Sequence, residues 1–179
     1  MAGVKEIVRR GASPEQIKFC KAFLEEGSIA NRGEFDGDYY QQLFGLMAQV
    51  VVGDLLGCER PTNDGTFDGG WDLKHKGNLI DVKCSLRNVP FRVGSFVHNF
   101  LGSQMRYEAD SFIFVSYDKQ AGLFEICGFI TKADLKEKAK FYKYGSMRPR
   151  DDGTEMEVRA VSGNWEIKNK SLTPFIDVL

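Results

Sequence analysis

A mixed α/β (α+β) fold in a single domain is what this sequence of 179 residues predicts. Three observations lead there. Ser111-Phe112-Ile113-Phe114-Val115-Ser116-Tyr117 is apolar on both alternating faces, as a strand covered on both sides must be. Two helices with clear capping residues come before the first strand signals. The order α, ββ, α, β, β, α, β interleaves the element types instead of segregating them. A chain of this length buries a full core without disulfide or metal staples.

Residues 1–12 show no periodicity and read as a loose arm. Ser13-Pro14-Glu15-Gln16 opens a helix: Ser13 caps it, Pro14 takes the first position and Gln16 closes a capping box. Ile17, Cys20, Phe23 and Leu24 form its apolar stripe, and Gly27 ends it. Residues 27–37 read as a loop. A second helix is expected from Tyr39 to Leu56, with Asp38 as N-cap and Gly57 beyond its end. Its broad apolar face (Leu43, Leu46, Met47, Val50, Val51, Leu55) predicts deep packing.

Pro61, Asn63-Asp64-Gly65 and Asp68-Gly69-Gly70 mark 57–69 as loop, and two short strands follow. Arg87 to Gly94, with Pro90, reads as extended or irregular; Ser95 to Tyr107 reads as a helix weakened by Gly102. After the central strand come a turn at Asp118–Gly122, a strand at Leu123–Ile130, and a helix from Lys132 to about Tyr144 capped by Thr131. A polar loop at 146–154 precedes strand-like Met156–Val161 and Trp165–Ile167. The core falls at about 39–130, and 131–179 elaborates it.

Composition narrows the function classes. The chain is 42% hydrophobic and 27% charged, ordinary for a soluble globular protein. Val50-Val51-Val52 is broken by Gly53-Asp54, so no membrane span is expected. Cys20, Cys58, Cys84 and Cys127 are scattered without a Cys-x-x-Cys pair, which disfavours zinc and suits a reducing, cytoplasmic setting. Net charge is −1, against coating nucleic acid by bulk charge. Locally, no acid occurs from Val82 to Tyr107, while Lys83, Arg87, Arg92 and Arg106 are basic. Lys132 to Arg150 holds seven basic residues against Asp134 and Glu137. Both runs suit a phosphate track.

The chemistry concentrates in residues 68–85. Lys76-Gly77 is a two-residue hairpin loop, which sets His75 opposite Asn78, Leu73 opposite Ile80 and Asp72 opposite Asp81. Trp71, Leu73, Ile80 and Val82 then share the buried face, and Asp72, Asp81 and Lys83 the other, wet face. Two carboxylates directly opposed destabilise a sheet, unless a divalent cation sits between them. Mg²⁺ takes one or two carboxylates plus water and substrate phosphate, so Asp72, Asp81 and the carbonyl of Val82 are the candidate ligands, with Mn²⁺ as substitute. Such a metal polarises a phosphate and activates water; Lys83 would stabilise the developing charge. Ser85 and Arg87 follow within reach of a phosphate, with Arg92 beyond. His75 reads as solvated, His98 as a polar helix position, and Trp71 and Trp165 as core aromatics.

A glycine-rich approach at Gly69-Gly70, Asp72 on the first strand, a hairpin, and then Ile80-Asp81-Val82-Lys83, all after a deep helix, resembles the PD-(D/E)XK nuclease superfamily. The resemblance covers about residues 39–130. It implies a restriction-endonuclease-like αβββαβ core, a mixed central sheet flanked by helices, with Asp72 and Asp81 as metal-binding acids and Lys83 as the catalytic lysine. Many members carry a glutamate on the preceding helix, where this chain has Gln49; Glu59 or Asp68 are the nearby acids. Trp71 stands where the motif's name has proline. The function implied is a Mg²⁺-dependent endonuclease acting on double-stranded DNA, of restriction, repair or mobile-element type, with a homodimer for two-strand cutting. The other class open to this fold is a non-catalytic nucleic-acid-binding or protein-interaction module, to which the uncharged Gln49 points.

Overall fold

In the computed structural model, which describes residues 7–26, 38–62, 69–88, 96–150 and 153–178, the chain's first described segment is already part of the sheet. Strand β1 (Val8–Arg10) pairs antiparallel with a strand more than a hundred residues later, where the sequence suggests a loose arm. Helix α1 (Pro14–Glu25) starts at the expected capping box, in which the Ser13 hydroxyl accepts from the Gln16 N–H and the Gln16 side chain accepts from the Ser13 N–H. Helix α2 (Tyr39–Leu56) is bounded by Asp38 and by Gly57, whose φ of +67° is the left-handed conformation that glycine adopts without a Cβ penalty.

Strand β2 (Leu73–His75) turns into β3 (Asn78–Arg87). Next comes β4 (Val97–Leu101), then a 3₁₀ turn at Gly102–Arg106, so the helix expected over Ser95–Tyr107 does not form. The reason lies in the alternation of buried Phe96, His98 and Phe100, which has period two and wins over the helical spacing of Phe96, Phe100 and Leu101. His98 is therefore not a surface helix residue. It is 1% exposed, stacks 4.8 Å from Phe114, and its Nε2 lies 3.2 Å from the Asn169 Oδ1.

Strands β5 (Ser111–Asp118) and β6 (Leu123–Thr131) form as expected, joined by a turn in which the Asp118 Oδ1 accepts from the N–H groups of Gln120 and Ala121. Thr131 caps α3, but α3 (Lys132–Lys138) ends six residues early, because β7 (Lys140–Tyr142) leaves it to pair in a second sheet. The expected polar loop contains β8 (Met147–Pro149), which pairs with β9 (Glu155–Glu157); β10 (Asn164–Lys168) completes the set.

The architecture is mixed α+β. One five-stranded mixed sheet runs β1-β6-β5-β3-β2, with β5 central, parallel to β3 and antiparallel to β6. A second sheet, β4-β10-β7, is antiparallel. The large sheet is covered on both faces. Leu73, Ile80, Val82, Ile113, Val115 and Ile126 pack with α2 and α1 in one apolar cluster. Phe112, Phe114 and Ile130 pack with Phe96 and with Phe100 and Ile167 of the second sheet in another. Trp71 is half-buried rather than central, and Trp165 packs at the margin of the second cluster. Among the described residues, no helix is long and apolar enough to cross a membrane.

Candidate functional site

Helix α2 sets the position of the hairpin. A Cβ on Gly53 would stand 3.0 Å from Leu73 Cδ2, so the missing side chain lets β2 lie directly on the helix. The hairpin turn uses Lys76 at φ +48° and Gly77 at φ +86°. Two successive positive φ values give the primed turn whose twist matches the strands. The register is the expected one: Leu73 opposite Ile80, Lys74 opposite Leu79, His75 opposite Asn78. His75 is only partly exposed, and its Nε2 is buried without a hydrogen-bond partner, unlike the solvated side chain expected.

Asp72 sits just before this ladder. Its N–H donates to the Ile80 carbonyl at 2.8 Å, and its carboxylate Oδ2 accepts from the Val82 N–H at 2.7 Å. The side chain thus takes the place of a backbone acceptor, and the paired ladder stops at Leu73 opposite Ile80, one residue short of the expected pairing of Asp72 with Asp81. Because N–H and C=O of one strand residue leave the chain on the same side, the Val82 carbonyl turns toward Asp72. Gln49, reaching from α2, donates its amide Nε2 to the Asp72 carbonyl at 3.0 Å. It braces the backbone of the first aspartate. Tethered at backbone and carboxylate, Asp72 is placed by two elements at once.

Asp81 and Lys83 point to the opposite face from α2, as expected, but that face is not wet. Asp81 lies beside Phe112, Lys83 beside Phe114 and Ser85 beside Ser116. The Asp81 Oδ2 is 2.6 Å from the Lys83 Nζ, with side chains 6% and 18% exposed. Taking two charges out of water costs several kcal/mol per ion, so at this depth each needs the other. The expected solvent-facing side missed this because the second sheet, which buries the phenylalanines, was not legible.

The remaining candidates divide. Ser85 is half-buried on the same face. Arg87 is drawn inward: its Nη2 donates to the Val97 carbonyl at 2.7 Å, and its guanidinium lies 4.6 Å from the Phe96 ring centre. Arg92 and Asp68 lie outside the described residues. Glu59 is exposed beyond the end of α2.

One stretch near the site went unread. The Glu108 N–H donates to the Gly69 carbonyl at 3.0 Å, and a Cβ on Gly70 would meet Tyr107 Cγ at 2.4 Å. At the other end, Asp110 exchanges bonds with Leu79, accepting at Oδ2 and donating from its N–H. Residues 107–110 are thus tied to the hairpin at both ends. The Gly69-Gly70 pair was the available signal, since adjacent glycines mark close backbone approach.

The oxygen donors suit a hard cation: two carboxylates and a carbonyl at one strand edge, with water to complete the shell. A carboxylate has two oxygens, so the bonds from Val82 and Lys83 do not exhaust either acid. Among the described residues, no group of three or more His, Cys, Asp or Glu side chains is gathered closely enough to hold a metal by itself. Cys84 follows Lys83, but burial, and then neighbouring Cys127, push its thiol up to about 12. It stays protonated at neutral pH and is no nucleophile. Compared with known proteins, the chain matches no family model and no curated sequence.

Proposed function

We propose that this chain is a Mg²⁺-dependent nuclease of restriction-endonuclease-like fold that hydrolyses phosphodiester bonds in DNA. The observation that carries the reading is the buried Asp81–Lys83 pair, 2.6 Å apart, across the hairpin from an Asp72 fixed by Val82 and Gln49. A surface hairpin with polar decoration has no reason to bury a charged pair and brace the facing acid from a helix.

Asp72, Asp81 and the Val82 carbonyl would hold the cation; when bound it supplies Lewis-acid polarisation of the phosphate and a water of lowered pKa. Lys83 is poised between two anions. Its ammonium neutralises Asp81 in the free protein, and leans toward the phosphoryl oxygens as negative charge grows on them. Gln49 brings no charge, so its part is to keep Asp72 in place. Water adds at phosphorus, the phosphorus–oxygen bond to the leaving nucleotide breaks, and a proton passes to that oxygen.

The test is plasmid cleavage in Mg²⁺ or Mn²⁺ by the wild type beside Lys83→Ala. Cleavage by the wild type alone is expected. Equal cleavage by both removes Lys83 from the mechanism, and no cleavage under either ion with DNA binding retained overturns the enzyme reading.

A second reading, a non-catalytic nucleic-acid-binding or protein-interaction module, is favoured by one observation. Gln49 stands at the helix position beside Asp72 and contributes an N–H donor there instead of a third carboxylate. The same assay separates the two.

A further inference from the structure

The edge of the second sheet carries a feature that the hairpin site leaves unused. Strand β7 is an outer strand of the β4-β10-β7 sheet, and Phe141 on it is 41% exposed. Its register places it in one row with Trp165 and Phe100. Phe100 is buried, and the rings of Phe141 and Trp165 are 4.9 Å apart. The ring lies close on glycine backbone: a Cβ on Gly163 would stand 2.5 Å from Phe141 Cζ, and one on Gly102, where the Ser162 carbonyl is nearer still, 3.1 Å from Phe141 Cε2. One side of this ring is seated on two glycines and a tryptophan, while a large part of its surface is left in water.

We propose that Phe141 is the stacking platform for an unpaired DNA strand, and that the substrate therefore contains a single-stranded segment beside the cleaved bond. This rests on the nuclease reading of the hairpin. Aromatic side chains bind single strands because every base has a π-face, and a positive groove tracks the backbone. The charge still exposed here fits an anion: Lys140 and Lys143 flank the ring and Arg150 lies beyond, whereas Arg148 is buried against Glu166 and Lys138 pairs with Asp134. Lys143 is exposed just beyond the end of β7, two residues from Phe141, and exposed Tyr144 follows. The chain itself links the ring to the site. Gly102, against the Phe141 ring, begins the 3₁₀ turn whose end at Arg106 precedes Tyr107, which packs on Gly70 two residues before Asp72. Five residues of such a turn rise about 10 Å, on the order of three stacked nucleotides at about 3.4 Å each.

The test is fluorescence anisotropy of a labelled oligothymidylate with the full chain at low salt, for wild type, Phe141→Ala, Phe141→Leu and Lys143→Ala, with thermal unfolding of each as the folding control. Phe141→Leu keeps an apolar strand residue but has no ring. Loss of one stacked base should weaken binding roughly five- to a hundredfold in both Phe141 variants. Lys143→Ala should reduce the slope of log K against log salt by about 0.7. Oligothymidylate binding unchanged in Phe141→Leu overturns the platform while leaving plasmid cleavage, and so the nuclease reading, untouched. Binding through Phe141 with no cleavage of plasmid or of a forked duplex overturns the nuclease reading and keeps the platform. Absence of oligothymidylate binding, with sedimentation showing a wild-type dimer that Phe141→Ala dissociates, makes the patch a protein interface and overturns the proposal.

Discussion

Replacing Lys83 by methionine tests whether the buried pair is structural, functional or both. The lysine side chain is 18% exposed and lies 2.6 Å from a carboxylate that is 6% exposed. Removing one partner of a buried pair typically costs about 3–5 kcal/mol, because an uncompensated charge remains. Lys83 keeps some contact with water, so about 3 kcal/mol is the expected cost. For a chain of this size that lowers Tm by about 6–12 °C. Replacing both partners by apolar residues of similar volume is often neutral, so Asp81→Leu combined with Lys83→Met should regain most of the loss. The candidate cation gives a second arm. A divalent ion that binds beside Asp81 supplies the missing positive charge, and at a hundred times its Kd adds about 2.7 kcal/mol. Thermal unfolding with and without Mg²⁺ reads all of this. A double variant as unstable as the sum of its singles refutes the pairing argument. Lys83→Met that gains nothing from Mg²⁺, where the wild type does, refutes the placement of the cation beside Asp81.

Three further outcomes follow from the geometry. Gly70→Ala should destabilise the fold by more than about 1 kcal/mol from its φ alone, and by more than Gly145→Ala, which shares a positive φ (+79° and +74°) but has nothing within 4 Å of the added carbon; equal Tm losses would show that the Tyr107 contact carries no weight. Burial pushes the Asp54 carboxyl up, but hydrogen bonds from Arg60 and Gln16 and the Arg60 charge outweigh it and hold the group below its ordinary 3.8. Its contribution is therefore present above that pH and lost as pH falls through the lowered value, so Asp54→Asn should reduce Tm slightly at pH 7 and not at pH 2. Burial also pushes Cys20 up to about 11 and Cys84 and Cys127 up to about 12, and raises Cys58. Alkylation of the native protein at pH 8 should be slow at all four and rapid in denaturant; fast native labelling of Cys84 would contradict its raised pKa.

Local signals that agree with one another survived into three dimensions. Helix α2 was legible because both caps and its apolar residues specify the same span, and the hairpin register because Lys76-Gly77 leaves room for only one turn. What failed depends on partners distant in sequence. Strand β7 has three residues, and its pairing of Phe141 with Trp165 outcompetes continuation of α3. Strand β4 is a strand because β10 lies beside it, with Val97 against Lys168. The site followed the same division. The register of Leu73 with Ile80 came from the turn, whereas the burial of Asp81 and Lys83 came from a sheet built mostly of later residues. Gln49 stands out as an uncharged residue on the preceding helix, but nothing in the sequence says that its amide N–H reaches the Asp72 carbonyl.

The pairing of β1 with β6 sets an order of events during synthesis. Arg9 meets Glu125 at 3.0 Å, and 116 residues separate them. At about 5–20 residues per second, the ribosome needs roughly 6–23 s to supply that partner. Until then the first strand has unpaired N–H and C=O groups, while α2 and the β2–β3 hairpin between them, whose contacts are local, are already free to form. Closure of the sheet is therefore a late step, and a nascent chain halted before residue 125 should hold its hairpin without its first strand.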